Sequence, residues 1–275
     1  MNVRGERECR DCGGRWSYYE TGTVECPACG SVRSVGVEGR ATHTDSPVSL
    51  DLAAHRTRFG EARGTLPTDD VDALKHELRT YLRKRGFIDG GELRTLDDTV
   101  LAARELLEAV DVYDRRRDPS DADREYLLAL LAGAEEGKRP EATEVPESMR
   151  VARGAAAARA VSEYRDDLLT FLDELASTPG RDGEPIGGAD QHDDIDSSPT
   201  VSVSGDEAES RVAPARQLLG RVRDRTKRVD ALGGDVAPTA ADALVEAVNA
   251  VGEYVRTGDG EALDRARSRL ADTEA

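Results

Sequence analysis

The chain has 275 residues, a formal charge of −17 at pH 7, and aromatic residues at only 4 % of its length. So few rings exclude one large aromatic-packed core, and so acidic a balance gives a heavily hydrated surface that stays soluble under strong salt screening. The longest apolar run, Leu127 to Ala132, is far short of the about 20 residues a membrane-spanning helix needs.

Met1 to Arg10 is rich in charge and has no apolar centre, which argues against a signal peptide. A cytoplasmic, reducing location is therefore expected, and there clustered cysteines are metal ligands more often than disulfides.

All four cysteines lie in the first thirty residues, as Cys9-x-x-Cys12-Gly13 and Cys26-x-x-Cys29-Gly30. Two such pairs, each on a tight turn, can place four sulfurs at the corners of a tetrahedron, which is the donor set of a structural zinc ribbon. The glycine after each pair takes a left-handed turn without steric penalty, so that backbone N–H groups can aim at the sulfurs. Four thiolates fill the shell and leave no position for an activated water. One structural Zn²⁺ on Cys9, Cys12, Cys26 and Cys29 is the expected cofactor. Iron is the competing metal, because Cys26-Pro27-Ala28-Cys29-Gly30 also resembles a rubredoxin knuckle.

Within residues 1–45, Arg15–Tyr19 and Thr23–Glu25 read as strands around a turn at Glu20-Thr21-Gly22, with Ser31–Val37 as a third strand. Strand alternation puts Trp16 and Tyr18 on one face and Tyr19 on the other. Trp16 is expected to cover the metal and Tyr19 to be the more exposed contact; together Trp16, Tyr18 and Tyr19 form a candidate recognition surface, for bases among other ligands. A segment of about 40 residues buries too little surface to fold alone, so metal binding and folding should be one equilibrium.

Residues 46–176 read as a helical domain. Val71, Leu74, Leu78 and Leu82 step by three and four behind Thr68-Asp69-Asp70, whose acids suit a helix N-terminus. Thr95-x-x-Asp98 resembles a capping box ahead of Val100, Ala103, Leu107 and Val110. Asp118-Pro119 reads as a cap followed by proline at the first helical position. A longer helix from about Pro146 carries Val161, Tyr164, Leu168, Phe171 and Leu175 and stops before Pro179-Gly180.

Residues 177–206 hold one basic group against seven acidic ones and are rich in Pro, Gly, Ser and Asp, which predicts a disordered acidic linker. Beyond it, in 207–275, Val212 to Val229 step at heptad intervals. Leu244, Val248, Val251 and Val255 follow Thr239-x-x-Asp242, and Leu263, Ala266 and Leu270 follow Asp259. These predict a three-helix C-terminal hairpin or bundle. The fold class expected is thus mostly α, with a small N-terminal β zinc ribbon.

Arg83-Lys84-Arg85 and Arg115-Arg116-Arg117 read as solvated helix ends. Arg221, Arg223, Arg225, Lys227 and Arg228 are denser and offer a nucleic-acid patch as the alternative to a solvated helix face, which the acidic surroundings favour. His43, His55, His76 and His192 lack partners at telling intervals, although His43 follows the ribbon closely enough to be a spare ligand. No phosphate loop or nucleophile motif is present, so no catalytic residue is assigned.

The segment Arg7-Glu8-Cys9 to Gly36 resembles the zinc ribbon of transcription factor B-type proteins. Arg15-Trp16-Ser17-Tyr18-Tyr19-Glu20-Thr21-Gly22, with Cys26-Pro27-Ala28-Cys29-Gly30-Ser31, is similar to a family of uncharacterised haloarchaeal proteins, and the acidic, arginine-rich composition resembles proteins of salt-loving archaea. The resemblance implies zinc on the four cysteines and docking to RNA polymerase or other transcription machinery. Two classes of function follow: a non-enzymatic adaptor that docks a protein partner, and a nucleic-acid binder that uses the ribbon hairpin.

Overall fold

The computed structural model of the chain describes residues 1–61, 68–177 and 205–273. Its order is a small β region followed by helices. The strands are β1 (Asn2–Arg4), β2 (Glu6–Cys9), β3 (Arg15–Ser17), β4 (Ser34–Gly36) and β5 (Arg40–Thr42), with one helical turn, α1 (Tyr18–Thr21), after β3. The body holds α2 (Ala53–Glu61), α3 (Thr68–Lys84), the hairpin strands β6 (Ile88–Asp89) and β7 (Glu92–Leu93), α4 (Asp98–Arg115), α5 (Asp121–Gly133) and α6 (Arg150–Ser177). Three helices follow: α7 (Gly205–Ala231), α8 (Pro238–Thr257) and α9 (Gly260–Asp272). The mostly helical class with an N-terminal β ribbon is what the sequence predicts. The linker expected at 177–206 lies, but for its ends, outside the described residues.

The ribbon is wired differently from the hairpin read in the sequence. Its sheet has the order β3-β2-β4, all antiparallel, and β1 pairs with β5 in a second, two-stranded sheet. Among the described residues, 23–25 form no strand. The Ser17 hydroxyl caps α1 by accepting from the Glu20 N–H, and Gly22 at φ 64° ends the turn. Local side chain to backbone bonds thus take residues that alternation alone would make a strand. The central strand is Glu6–Cys9, a charged segment with no apolar alternation to mark it as a strand.

Helix starts also moved to the side chain with the better cap. Asp97, not Thr95, caps α4, its Oδ1 accepting from the Val100 N–H at 2.8 Å. Ser120, not Asp118, caps α5 in a reciprocal box with Asp123. At α8 the chain enters through Pro238 at the first helical position, and Asp242 is spent on Arg153 instead.

The helical segments on either side of 177–206 share one continuous core, from Leu52 and Phe59 to Leu263 and Leu270. α6 lies at its centre, packed on α4, α7 and α8. Its buried face is rich in Ala152, Gly154, Ala156, Ala157, Ala158 and Ala160, small side chains that let neighbouring helices approach closely. Farther along the same helix, fully buried Tyr164 donates to the Arg94 carbonyl at 3.0 Å and packs edge-on to Phe87. α8 accommodates it with Gly252, where an added Cβ would come within 2.1 Å of the Tyr164 oxygen. Asn249 of α8 closes the joint by exchanging two 3.2 Å hydrogen bonds with the Leu96 backbone. The heptad stripes of the C-terminal helices are therefore satisfied within the chain, against the middle segment as well as one another.

Candidate metal centre

Two turns of identical construction build the site. In the first, the Cys9 N–H donates to the Gly14 carbonyl at 2.9 Å and the Gly13 N–H to the Cys9 carbonyl at 3.0 Å. In the second, the Cys26 N–H donates to the Ser31 carbonyl at 2.9 Å and the Gly30 N–H to the Cys26 carbonyl at 2.8 Å. Gly13 and Gly30 have φ of 74° and 71°, the left-handed conformation that the turns require and that glycine adopts without strain. Sequence spacing alone led to these glycines.

The sulfurs converge. All four ligand atoms lie within 4.8 Å of one another, with Cys9 to Cys29 at 3.7 Å and Cys12 to Cys26 at 3.6 Å. A tetrahedral ion with bonds of about 2.3 Å sets its sulfurs about 3.8 Å apart, whereas a disulfide requires about 2 Å. The four cysteines are unbridged, and their separations fit a metal ion held between them. The first cysteine of each turn is buried and the second exposed, so the cage sits with one side in the ribbon and one toward solvent.

The local field prepares the cage for a cation. Backbone N–H groups of Cys12 and Asp11 bring the Cys9 thiol down to about 7, so one thiolate forms readily. Cys29 is pushed up to about 12: the Ser31 N–H opposes the rise, but the neighbouring sulfurs of Cys12 and Cys9, with some local desolvation, outweigh it. Successive thiolates repel one another, and a divalent ion removes that repulsion.

Trp16 closes the inner side. It is 7 % exposed, clusters with Cys9 and Cys26, and donates its indole N–H to the Thr23 carbonyl at 3.0 Å. Tyr18 and Tyr19 are both half-buried rather than presented on a flat strand face. Tyr19, expected as the exposed contact, is the pin between ribbon and body. Its ring stacks at a tilt on His43 with centroids 4.7 Å apart, and a Cβ on Gly5 or Gly90 would come within 2.1 or 2.8 Å of its Cε2. The three aromatic residues thus serve different places, and only Trp16 belongs to the metal cage.

His43 is not the fifth ligand. Buried at 4 % exposure, it lies 3.3 Å from Asp89 and takes the Gly90 N–H on Nδ1. Burial lowers its proton affinity, although Asp89 and Asp45 act the other way. Next to it, the Thr44 hydroxyl donates to Asp167 of α6 at 2.7 Å and accepts from the Ile88 N–H at 3.0 Å. Thr42 bonds Glu174 of the same helix. These joints seat the ribbon on the β6–β7 hairpin and on α6. The hairpin gave little sequence signal beyond Gly90-Gly91, and its two-residue strands are too short for periodicity.

Among the described residues, no helix is long and apolar enough to cross a membrane. Neither curated proteins nor solved structures yield a match to this chain. A family model matches residues 1–186 and 201–270, which takes in the ribbon and the helical body together. The chain belongs to that family, a family of unknown function designated DUF7117.

Proposed function

We propose that this is a non-enzymatic, structural-zinc protein whose ribbon docks a protein partner, with transcription machinery as the partner class that the likeness to transcription factor B-type ribbons supports. The observation that carries the reading is where apolar surface remains. Of the six large apolar side chains exposed among the described residues, four (Met1, Val24, Val32 and Val37) lie in the ribbon, and Val32 is 72 % exposed. The helices, by contrast, bury their stripes in one core. A cage closed by four protein sulfurs gives that surface rigidity and leaves the ion no position for substrate. Zinc, rather than iron, suits a compact four-thiolate staple with no role in electron transfer, and a colourless protein with one zinc per chain by elemental analysis is expected. The acidic surface suits work at molar salt, where apolar docking persists and charge attraction has a reach of about 3 Å.

Affinity purification at native salt tests the reading. The tagged chain should recover subunits of the transcription machinery, identified by mass spectrometry. Val32→Asp should lose them while the zinc content stays at one, and Cys26→Ser with Cys29→Ser should lose both. Equal recovery by all three proteins would remove the ribbon from the interaction.

A further inference from the structure

The ribbon carries a second feature, on its β1–β5 side, that the metal does not explain. A cleft of about 340 Å³ is lined by Arg4, Arg7, Arg40, Tyr18, Val3 and Val24 among others, and none of its lining residues is acidic. Arg4 and Arg40 stand directly opposite each other in the antiparallel β1–β5 pair. Like charges in that relation share one face of the sheet and oppose its pairing.

The protein has acids in excess, yet none has been placed here. Arg4, Arg7 and Arg40 make no ion pair among the described residues, whereas Arg15 and Arg33 of the same ribbon pair with Glu8 and Asp11. Two of the three guanidinium groups are fixed by neutral acceptors that leave the charge in place. Arg4 Nη1 donates to the Gly36 carbonyl at 3.0 Å, and its side chain lies so close over Gly36 that an added Cβ would stand 2.5 Å from Arg4 Cβ. Arg7 donates through Nε and Nη2 to the Ser34 hydroxyl at 3.1 and 3.0 Å. Fixed but unneutralised guanidinium groups are prepared for an anion.

We propose that this cleft binds the backbone of a single-stranded nucleic acid, with Arg4, Arg7 and Arg40 on phosphate oxygens and the Tyr18 ring against a base. Three cations lining one cleft match an anion repeated along a chain, and a phosphate between Arg4 and Arg40 turns their mutual repulsion into shared attraction. Tyr18, half-buried with its ring edge-on to His43 at a centroid separation of 6.2 Å, supplies the aromatic surface that distinguishes a nucleotide from a lone carboxylate. The cleft shares Val24 with the exposed apolar surface of the ribbon, but Arg4, Arg7 and Arg40 are no part of that surface, and Val32, whose substitution tests the protein docking, lies outside the cleft.

The test is fluorescence anisotropy of a labelled single strand of about ten nucleotides, titrated with the full zinc-loaded chain over a series of potassium chloride concentrations. Three phosphate contacts give a slope of log affinity against log salt of about −2 for a single strand. Arg40→Gln should lower that slope by about 0.7 and weaken binding about fivefold near 0.1 M salt. Tyr18→Ala should weaken binding with the slope unchanged. Because Arg40 is exposed and opposed by Arg4, its removal should leave the thermal midpoint equal or higher, which a purely structural arginine would not do. No salt-dependent binding, affinity indifferent to Arg40→Gln, or displacement of the strand by polyglutamate at equal concentration would each overturn the proposal, the last in favour of an acidic peptide.

Discussion

Arg153 of α6 meets Glu105 of α4 in the interior, its Nη1 donating to Glu105 Oε1 at 3.1 Å with the side chains 4 % and 0 % exposed. The pair is the centre of a network rather than an isolated bridge. Arg139 donates to the other Glu105 oxygen at 3.0 Å, the Tyr126 hydroxyl also bonds Glu105, and Arg153 Nη2 reaches Asp242 of α8 at 2.7 Å. Desolvation works against the Arg153 charge, but Asp242 and Glu105 outweigh it and hold the group protonated beyond its ordinary range. Burial, reinforced by Glu105, raises Tyr126 far above a normal phenol, so it remains a donor.

The first prediction follows from that arrangement. Glu105→Gln keeps the shape and removes the charge on which two arginines converge, leaving Arg153 with Asp242 and the neutral Pro140 carbonyl. Breaking a buried pair in this way costs about 3–5 kcal/mol. Urea unfolding at constant salt should show it as a lowered midpoint, and a loss below about 1 kcal/mol would mean that the network contributes little.

A second prediction concerns the approach of α6 to the turn that follows α7, at Gly154 and Gly234. A Cβ on Gly154 would lie 2.1 Å from the Gly234 carbonyl oxygen, and backbone cannot step aside as a flexible side chain can. Gly154→Ala should therefore destabilise by about 1–3 kcal/mol. Gly220 of α7 meets nothing within 4 Å, so Gly220→Ala should stabilise by up to about 1 kcal/mol from helix propensity. Opposite signs for the two substitutions in thermal unfolding check the close approach against a general dislike of change.

A third prediction links pH to the seat of the ribbon. Burial holds His43 below its ordinary value of 6.5, so the unfolded chain binds this proton more readily than the folded one. Stability from the neutral ring is present above pH 6.5 and falls as pH drops from there toward the folded value, with no further loss from this group below it. Amides of Gly90 and Gly91 should exchange faster as pH falls through that window, after correction for intrinsic exchange rates. His43→Gln should flatten the dependence; an unchanged profile would move its origin to other groups.

A fourth prediction separates the two parts of the molecule. Trp16 is the single tryptophan and packs on Cys9 and Cys26, so its fluorescence reports the cage. Exhaustive chelation should shift its emission to longer wavelength, because structural zinc contributes about 10–16 kcal/mol to folding small metal modules. The helical circular dichroism should persist at the same temperature, since the core from Leu52 to Leu270 contains no metal ligand. Intact Trp16 emission after complete metal removal would show that the ribbon stands without its ion.

The sequence by itself determined what is local. Cys-x-x-Cys-Gly repeated is enough to define both turns, because the ligands, the left-handed glycines and the closing hydrogen bonds all fall within six residues. The apolar steps of Val71 to Leu82 and Leu244 to Val255 likewise identify their helices, since the period of the helix is written in the spacing itself. Only the tertiary structure decided which side chains those elements spend on one another. Asp242, at a capping interval in the sequence, serves Arg153, and Tyr19 turns inward onto Gly5 and Gly90 rather than outward. Arg4 and Arg40 face each other although thirty-six positions separate them. The physical reason is that long-range partners compete with local ones, and sequence spacing carries no record of which groups the folded chain brings within a few ångströms.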